Sequence, residues 1–171
     1  GAPNNDSTAT DSGQVRVYNY NGTSWTQLGA DIDGDAAGDY FGESVSLSSD
    51  GSTVAIGAHV NDSSGDNSGH VRVYKYMSGS WIKLGQDING EAAGDQSGHS
   101  VSLSSDGTIL GIGAFGNDGS AADAGQVRVY KYNGTVWTQL GADIDGEAGS
   151  DFLGYSVSLS SDGSIVAVGA P

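Results

Sequence analysis

One eight-residue stretch decides how this chain folds: SVSLSSDG, at residues 44–51. The same letters return at residues 100–107 and 156–163, a step of 56 residues each time. A period this long indicates that each copy is one unit of supersecondary structure that stacks on its neighbours. The chain is therefore a single array over residues 1–171. It divides into repeats 1–56, 57–112 and 113–168, and a fourth repeat begins at 169–171.

Each unit is predicted to contain four short antiparallel strands. The first alternates small polar and branched apolar side chains, the second is small and apolar throughout, and the last two are aromatic and β-branched. Turn residues such as Ser49-Asp50-Gly51 separate them, which favours hairpins. In the middle of the chain the predicted strands are 44–48, 53–58, 70–76 and 80–85, with a polar loop at 61–68 and an acidic loop at 86–98.

Repeated four-stranded antiparallel units of this size are typical of β-propeller blades. The side chains agree, because Ser, Ala and Gly dominate the first two strands and Tyr and Trp the last two. Blades converge near the propeller axis, so the inner strands need the smaller residues. We predict an all-β fold of propeller blades, with three blade-equivalents per chain. A β-solenoid is the alternative, although its coils usually repeat at shorter spacing.

The strand order leaves the terminal blade split. The N-terminal part supplies the third and fourth strands of one blade, and the C-terminal part supplies only the first and second strands of another. Propellers have at least four blades, so the open half-blades need completion. We expect copies of the chain to complete them head to tail, as a ring or a filament, or the rest of a longer propeller to do so.

Composition excludes several kinds of partner and chemistry. The net charge is −15, from 21 acidic and 6 basic residues, so the surface repels nucleic acid and anionic lipid. No apolar run approaches the roughly 18 residues of a membrane span. The chain has no cysteine, which excludes disulfides, a thiolate nucleophile and cysteine-bound zinc.

An acidic loop precedes each copy of the repeated stretch. Its first, third, fifth and ninth positions carry side-chain oxygens, an alternation typical of calcium-binding loops. We predict a candidate Ca²⁺ site in each loop. The alternative is that these side chains cap backbone N–H groups in tight turns between blades. The candidate ligands are Asp31, Asp33, Asp35, Asp39, Asp87, Asn89, Glu91, Asp95, Asp143, Asp145, Glu147 and Asp151.

Two further residue types recur at fixed positions. We expect each recurring arginine to pair with a recurring carboxylate or to pack over a tyrosine. The recurring tryptophans are predicted to pack between blades, although they would also suit stacking on sugars. These residues are Arg16, Arg72 and Arg128, and Trp25, Trp81 and Trp137.

The sequence offers little support for catalysis. His59, His70 and His99 each occupy a position that other residue types hold in the other repeats. No GxSxG, HExxH or P-loop motif is present. We therefore predict that the protein is not an enzyme, and a hydrolase built on paired carboxylates is a remote alternative.

Residues 41–58 resemble the FG-GAP repeat, which is the blade unit of the integrin α-subunit propeller. Phe41-Gly42 supplies the FG, and Gly1-Ala2-Pro3 and Gly169-Ala170-Pro171 supply the GAP. The other copies depart from the motif at Ser97-Gly98, Leu153-Gly154, Gly57-Ala58-His59 and Gly113-Ala114-Phe115. In calcium-binding integrin blades the acidic loop lies between FG and GAP. Here it precedes the FG, so none of the family's calcium ligands is carried over.

The resemblance implies a propeller similar to the FG-GAP-like arrays of extracellular microbial and algal proteins. Together with the repeat pattern, it predicts a non-catalytic adhesion or structural module, extracellular or at the cell surface. The alternative is a lectin-like module that binds carbohydrate or protein through its rim loops and aromatic residues.

Overall fold

The computed structural model describes all 171 residues, from Gly1 to Pro171. It contains sixteen β-strands and no α-helix, so the chain is all-β as the sequence predicts. No helix long and apolar enough to cross a membrane occurs. The strands form antiparallel sheets consistent with propeller blades: two sheets have five strands each, and three two-stranded sheets lie towards the chain ends.

The strands follow one another in the order of the repeats. The N-terminal part contributes β1 (Gln14–Val15), β2 (Tyr18–Tyr20), β3 (Trp25–Gln27) and β4 (Ile32–Asp33). The first complete blade consists of β5 (Ser44–Leu47), β6 (Thr53–Ala58), β7 (His70–Met77), β8 (Ser80–Lys83) and β9 (Ile88–Asn89). The second consists of β10 (Ser100–Leu103), β11 (Ile109–Ala114), β12 (Gln126–Tyr132), β13 (Trp137–Gln139) and β14 (Ile144–Asp145). The C-terminal part contributes β15 (Ser156–Leu159) and β16 (Val166–Gly169).

Both complete blades have the same strand order and register. The first runs β5-β6-β7-β8, and Ile56 of β6 lies opposite Arg72 of β7. In the second blade the corresponding pair is Ile112 and Arg128. The register therefore moves by one repeat period of 56 residues from blade to blade.

The acidic loop at residues 86–98 contains a strand that the sequence reading missed. β9 pairs with the start of β7, with Ile88 opposite Val71 and Asn89 opposite His70. β7 is longer than β8, so the first residues of β7 would otherwise have free backbone groups on this side. Ile88 is buried, which holds the short strand in place. Each complete sheet thus has five strands, and the predicted number of four was wrong.

The turn of the repeated stretch is held by its own side chains. The Asp50 carboxylate accepts hydrogen bonds from the Ser48 hydroxyl at 2.7 Å and from the Ser52 backbone N–H at 2.9 Å. Gly51 has a φ of +69°, which a residue with a side chain rarely adopts. The Ser48 hydroxyl and the Ser52 groups lower the pKa of Asp50 to about 2, so the turn keeps its charge at all ordinary pH values.

The hydrophobic core lies between neighbouring blades. One cluster joins the N-terminal part to the first complete blade, and a second joins the two complete blades. The backbones of neighbouring blades approach so closely that a Cβ on Gly57 would stand 2.0 Å from the Gly98 carbonyl oxygen. The residues of the first cluster are Val15, Ile32, Phe41, Val54, Ile56 and Ala58. Those of the second are Ala55, Val71, Val73, Ile88, Leu103, Leu110, Ile112, Tyr130 and Trp137.

Each end of the chain holds only part of a blade, as the strand count predicts. β15 and β16 pair only with each other, so β16 has no strand on its second edge. At the N-terminal end, β1 and β2 take the place of the continuous β7. In the complete blade β6 pairs along the whole inner edge of β7. β1 and β2 have no such strand beside them, and the bridge between Ala2 and Gln14 is their one backbone pairing on this side. The missing neighbour explains why the strand is interrupted at Arg16 and Val17.

Candidate functional site

The acidic loops lie between the blades, and the first residue of the first two loops faces an arginine of the same repeat. Arg16 donates from Nε and Nη2 to the two carboxylate oxygens of Asp31, both at 3.1 Å. This guanidinium lowers the pKa of Asp31. Asp87 accepts from Arg72 at 3.0 Å and from Lys83 at 2.7 Å. The predicted pairing of recurring arginines with recurring carboxylates is therefore confirmed.

The fifth residue of the first and second loops faces the arginine of the next repeat. Asp35 lies 2.6 Å from Nη1 of Arg72, and Glu91 lies 3.2 Å from Nη1 of Arg128. Arg128 also donates to the backbone oxygen of Asn89 at 3.0 Å. The side chains of Arg72 and Arg128 are only 13% and 7% exposed. The acidic loops thus join consecutive blades through partly buried ion pairs.

The third residue of the loop accepts a hydrogen bond from a glutamine side chain in the first and third copies. The amide of Gln14 donates to Asp33 at 2.8 Å, and that of Gln126 donates to Asp145 at 3.2 Å. Asp33 also accepts a hydrogen bond from the Ser7 hydroxyl at 2.7 Å. These contacts fasten each loop to the start of the blade's third strand.

The last acidic residue of each loop is engaged in holding local structure. Asp95 accepts hydrogen bonds from the backbone N–H groups of Glu91 and Ala92. Asp151 accepts one from Ala148, and the buried Asp39 accepts one from the Asn61 amide at 2.9 Å. These carboxylates close the loop on itself or tie it to the neighbouring polar loop.

The twelve predicted ligands are therefore engaged mainly by the protein's own donors. Asp143 accepts a hydrogen bond from Gln139, and Glu147 has no side-chain partner. The chain brings together no group of three or more His, Cys, Asp or Glu side chains that could hold a metal ion. The guanidinium of Arg72 lies between the carboxylates of Asp35 and Asp87 and supplies the positive charge that neutralises them. Calcium binding stays a prediction, which a calcium titration of the melting temperature tests.

The recurring tryptophans pack between blades, as predicted. The indole N–H of Trp81 donates to the Leu28 backbone oxygen at 2.8 Å, and that of Trp137 donates to Leu84 at 2.9 Å. Trp137 is 3% exposed. Trp25, which has no preceding blade, is 68% exposed. The interface between blades, and not the blade itself, therefore buries this side chain.

Sequence reasoning missed a cluster of aromatic and histidine rings. The rings of His59 and His99 lie 5.5 Å apart between centroids, and His99 also packs on Phe115 at 4.6 Å and on Tyr155 at 4.7 Å. Burial lowers the pKa of both histidines. Neither histidine recurs, so each looked isolated in the sequence. The available signal was that the third repeat carries aromatic residues at both positions, Phe115 at that of His59 and Tyr155 at that of His99.

His70 is expected to make the stability of the fold depend on pH. It is 1% exposed, and neither ring nitrogen has a hydrogen-bond partner, so burial lowers its pKa from 6.5 to about 4. Between these values the unfolded chain binds a proton that the folded chain does not. The free energy of unfolding therefore falls as the pH drops through this window, by up to about 3 kcal/mol.

The variant His70→Gln provides the test, because glutamine occupies this position in the other repeats. Urea unfolding at pH 7 and pH 4 should show a smaller loss of stability in the variant than in the original chain. His59 and His99 are present in both proteins, so their titration cancels in the comparison. An equal loss in both proteins would contradict the assignment to His70.

Comparison with known proteins is consistent with this architecture. Residues 28–74 match the model of a family described as the FG-GAP repeat. No curated protein matches the chain. The matched segment runs from the end of β3 through the first acidic loop, β5 and β6 into β7. Residues 28–74 thus match the FG-GAP repeat, the kind of unit that forms propeller blades, and the match confirms the resemblance that the sequence suggested.

Proposed function

We propose that this chain is a non-catalytic adhesion or structural propeller module that acts outside the cell and joins head to tail with further copies of itself. FG-GAP repeats are generally non-catalytic and typically extracellular, which supports the first part. The observation that carries the second part is the split blade, whose two halves leave complementary strand edges open.

The C-terminal edge is ready to accept another strand. Tyr76 donates its backbone N–H to Ser52 in the turn before β6, whereas Val73 accepts from Leu84 on the other side. Alternate residues of each strand therefore point their backbone groups to opposite neighbours. By the repeat, the backbone groups of Val166 and Val168 in β16 point to its open edge. An open row of this kind is a template for pairing with another chain.

The N-terminal edge exposes the matching surface. Tyr18 is 48% exposed, whereas its equivalent in the second complete blade, Tyr130, is buried. Tyr20 and Trp25 are also exposed. A cleft of about 280 Å³ opens along this edge beside Gln14 and Arg16. Contiguous exposed apolar surface is typical of an interaction site.

The repeat also fixes the register of the joint. In the first complete blade Val54 lies opposite Tyr74, and Ile56 lies opposite Arg72. The same register would place Val166 of one copy opposite Tyr18 of the next, and Val168 opposite Arg16. The joint would complete a blade from β15 and β16 of one chain and β1 to β4 of another. Repetition of this heterologous contact gives a ring or a filament.

Sedimentation velocity of the purified chain at micromolar concentrations tests the proposal. We expect oligomers that dissociate on dilution. The variant Val166→Pro removes an outward backbone N–H from β16 while keeping the side that pairs with β15, so it should sediment as a monomer. The matched control is Lys83→Pro, at the outer edge of β8, which should still associate. A compact monomer of the original chain at these concentrations would overturn the proposal.

A further inference from the structure

Arg16 and Glu147 each lack the inter-blade partner that their equivalents have. Within the chain, Arg72 is held by Asp35 of the preceding loop, and Arg128 is held by Glu91. The third copy of this acid is Glu147, which has no partner. The first copy of the arginine is Arg16, whose side chain is 48% exposed. Continuing the period past the end of the chain brings Glu147 of one copy to Arg16 of the next.

A second contact is left incomplete on the same two surfaces. Trp137 lies against Gly85, where an added Cβ would stand 3.0 Å from the indole ring. At the equivalent glycine, Gly141, a Cβ would meet nothing within 4 Å. The neighbouring Leu140 is exposed, as is Trp25 at the other end of the chain. The period brings Trp25 of the next copy onto Leu140 and Gly141.

A third contact, in the turn of the repeated stretch, is likewise present between blades inside the chain and incomplete at the chain ends. A Cβ on Gly107 would stand 2.8 Å from Thr53, and one on Gly163 would stand 2.7 Å from Ile109. The first member of this glycine series, Gly51, has open space around it. Ile165 occupies the same repeat position as Thr53 and Ile109, one period further along the chain, and it is 68% exposed. Three contacts from different parts of the blade therefore point to one joint.

We infer that an ion pair between Glu147 of one copy and Arg16 of the next determines which surfaces join, with Trp25 packed on Leu140 and Gly141 beside it. This inference rests on the proposed head-to-tail association and adds the residues that specify it. In the joint Arg16 would become buried to the extent of Arg72 and Arg128. Like charges brought together at such a site oppose association strongly.

A charge exchange tests the inference. The variants Glu147→Arg and Arg16→Glu each place like charges in the joint, so each alone should associate at least about tenfold more weakly than the original chain. An equal mixture of the two variants should regain association, because a joint between one variant and the other brings opposite charges together. The double variant R16E/E147R should also associate by itself. The control Asp66→Arg makes the same kind of charge reversal in an exposed loop away from the joint and should leave association unchanged.

Sedimentation velocity gives the dissociation constants, and near-ultraviolet circular dichroism verifies that each variant is folded. If both single variants associate like the original chain, the ion pair is excluded although the head-to-tail proposal stands. If the single variants are weakened but neither the mixture nor the double variant recovers, the inference is also overturned. If the original chain does not associate, the proposed function fails and the inference fails with it.

Discussion

Replacing Gly113 by alanine is expected to lower the free energy of unfolding by about 3 kcal/mol, at the upper end for overpacked sites. The added Cβ would stand 2.0 Å from the backbone oxygen of Gly154, in the next blade. Backbone cannot rotate away as a side chain can, so the two neighbouring units would have to separate. Urea denaturation at neutral pH measures the loss.

Gly149 provides the matched control for Gly113. It also lacks a positive φ, but an alanine there would come no closer than 3.1 Å to another atom, the Ala122 carbonyl oxygen. Gly149→Ala requires only a shift of a few tenths of an ångström in its neighbour, so it should lower the free energy of unfolding by less than about 1 kcal/mol. If Gly113→Ala were equally harmless, the close approach of consecutive blades described above would be wrong.

Removing Trp137 should have an effect of similar size or larger. Trp137→Ala deletes a buried indole and its hydrogen bond to Leu84, which costs about 3–5 kcal/mol for a side chain of this kind. Trp25→Ala changes the same position of the repeat where no preceding blade covers it. At concentrations low enough to keep the chain monomeric, this variant should lose less than about 1 kcal/mol.

Chemical denaturation of the two tryptophan variants, followed by circular dichroism, gives the comparison. The ratio of the two losses reports how much of the burial comes from the neighbouring blade. Equal losses would mean that the tryptophan packs mainly within its own sheet. At higher concentration Trp25→Ala should also weaken self-association, because the joint would bury Trp25 as the interior interface buries Trp137.

The strands could be predicted from the sequence because their signals are local. The predicted strands 53–58 and 70–76 agree with β6 and β7 to within one residue. The split terminal blade followed from the repeat length and the strand order. The short strand β9 could not be read in this way, because two residues in an acidic loop carry no periodicity. Its existence depends on the free edge of β7, which is a property of the assembled sheet.

The candidate site was predicted less completely, for a related reason. The pairing of Arg72 with a recurring carboxylate was foreseeable, since both residues recur with the same period. That Asp35 comes from the preceding blade was not, because a repeat pattern does not say which copies are in contact. The rings of His59 and His99 meet only across a blade boundary. Contacts between repeats are thus the part of this structure that the sequence of a single repeat does not reveal.

The bridge between Ala2 and Gln14 has a consequence for how copies would join. Gly1 and Ala2 occupy the place on β1 that Gly169 and Ala170 of an incoming chain would take, because the two segments are equivalent in the repeat. An incoming chain would therefore have to displace these residues before its Gly169 and Ala170 could pair with β1. For the 171-residue chain, assembly would be a strand exchange in which one short Gly-Ala segment replaces an identical one. The net gain in free energy would come from the side chains beyond that segment.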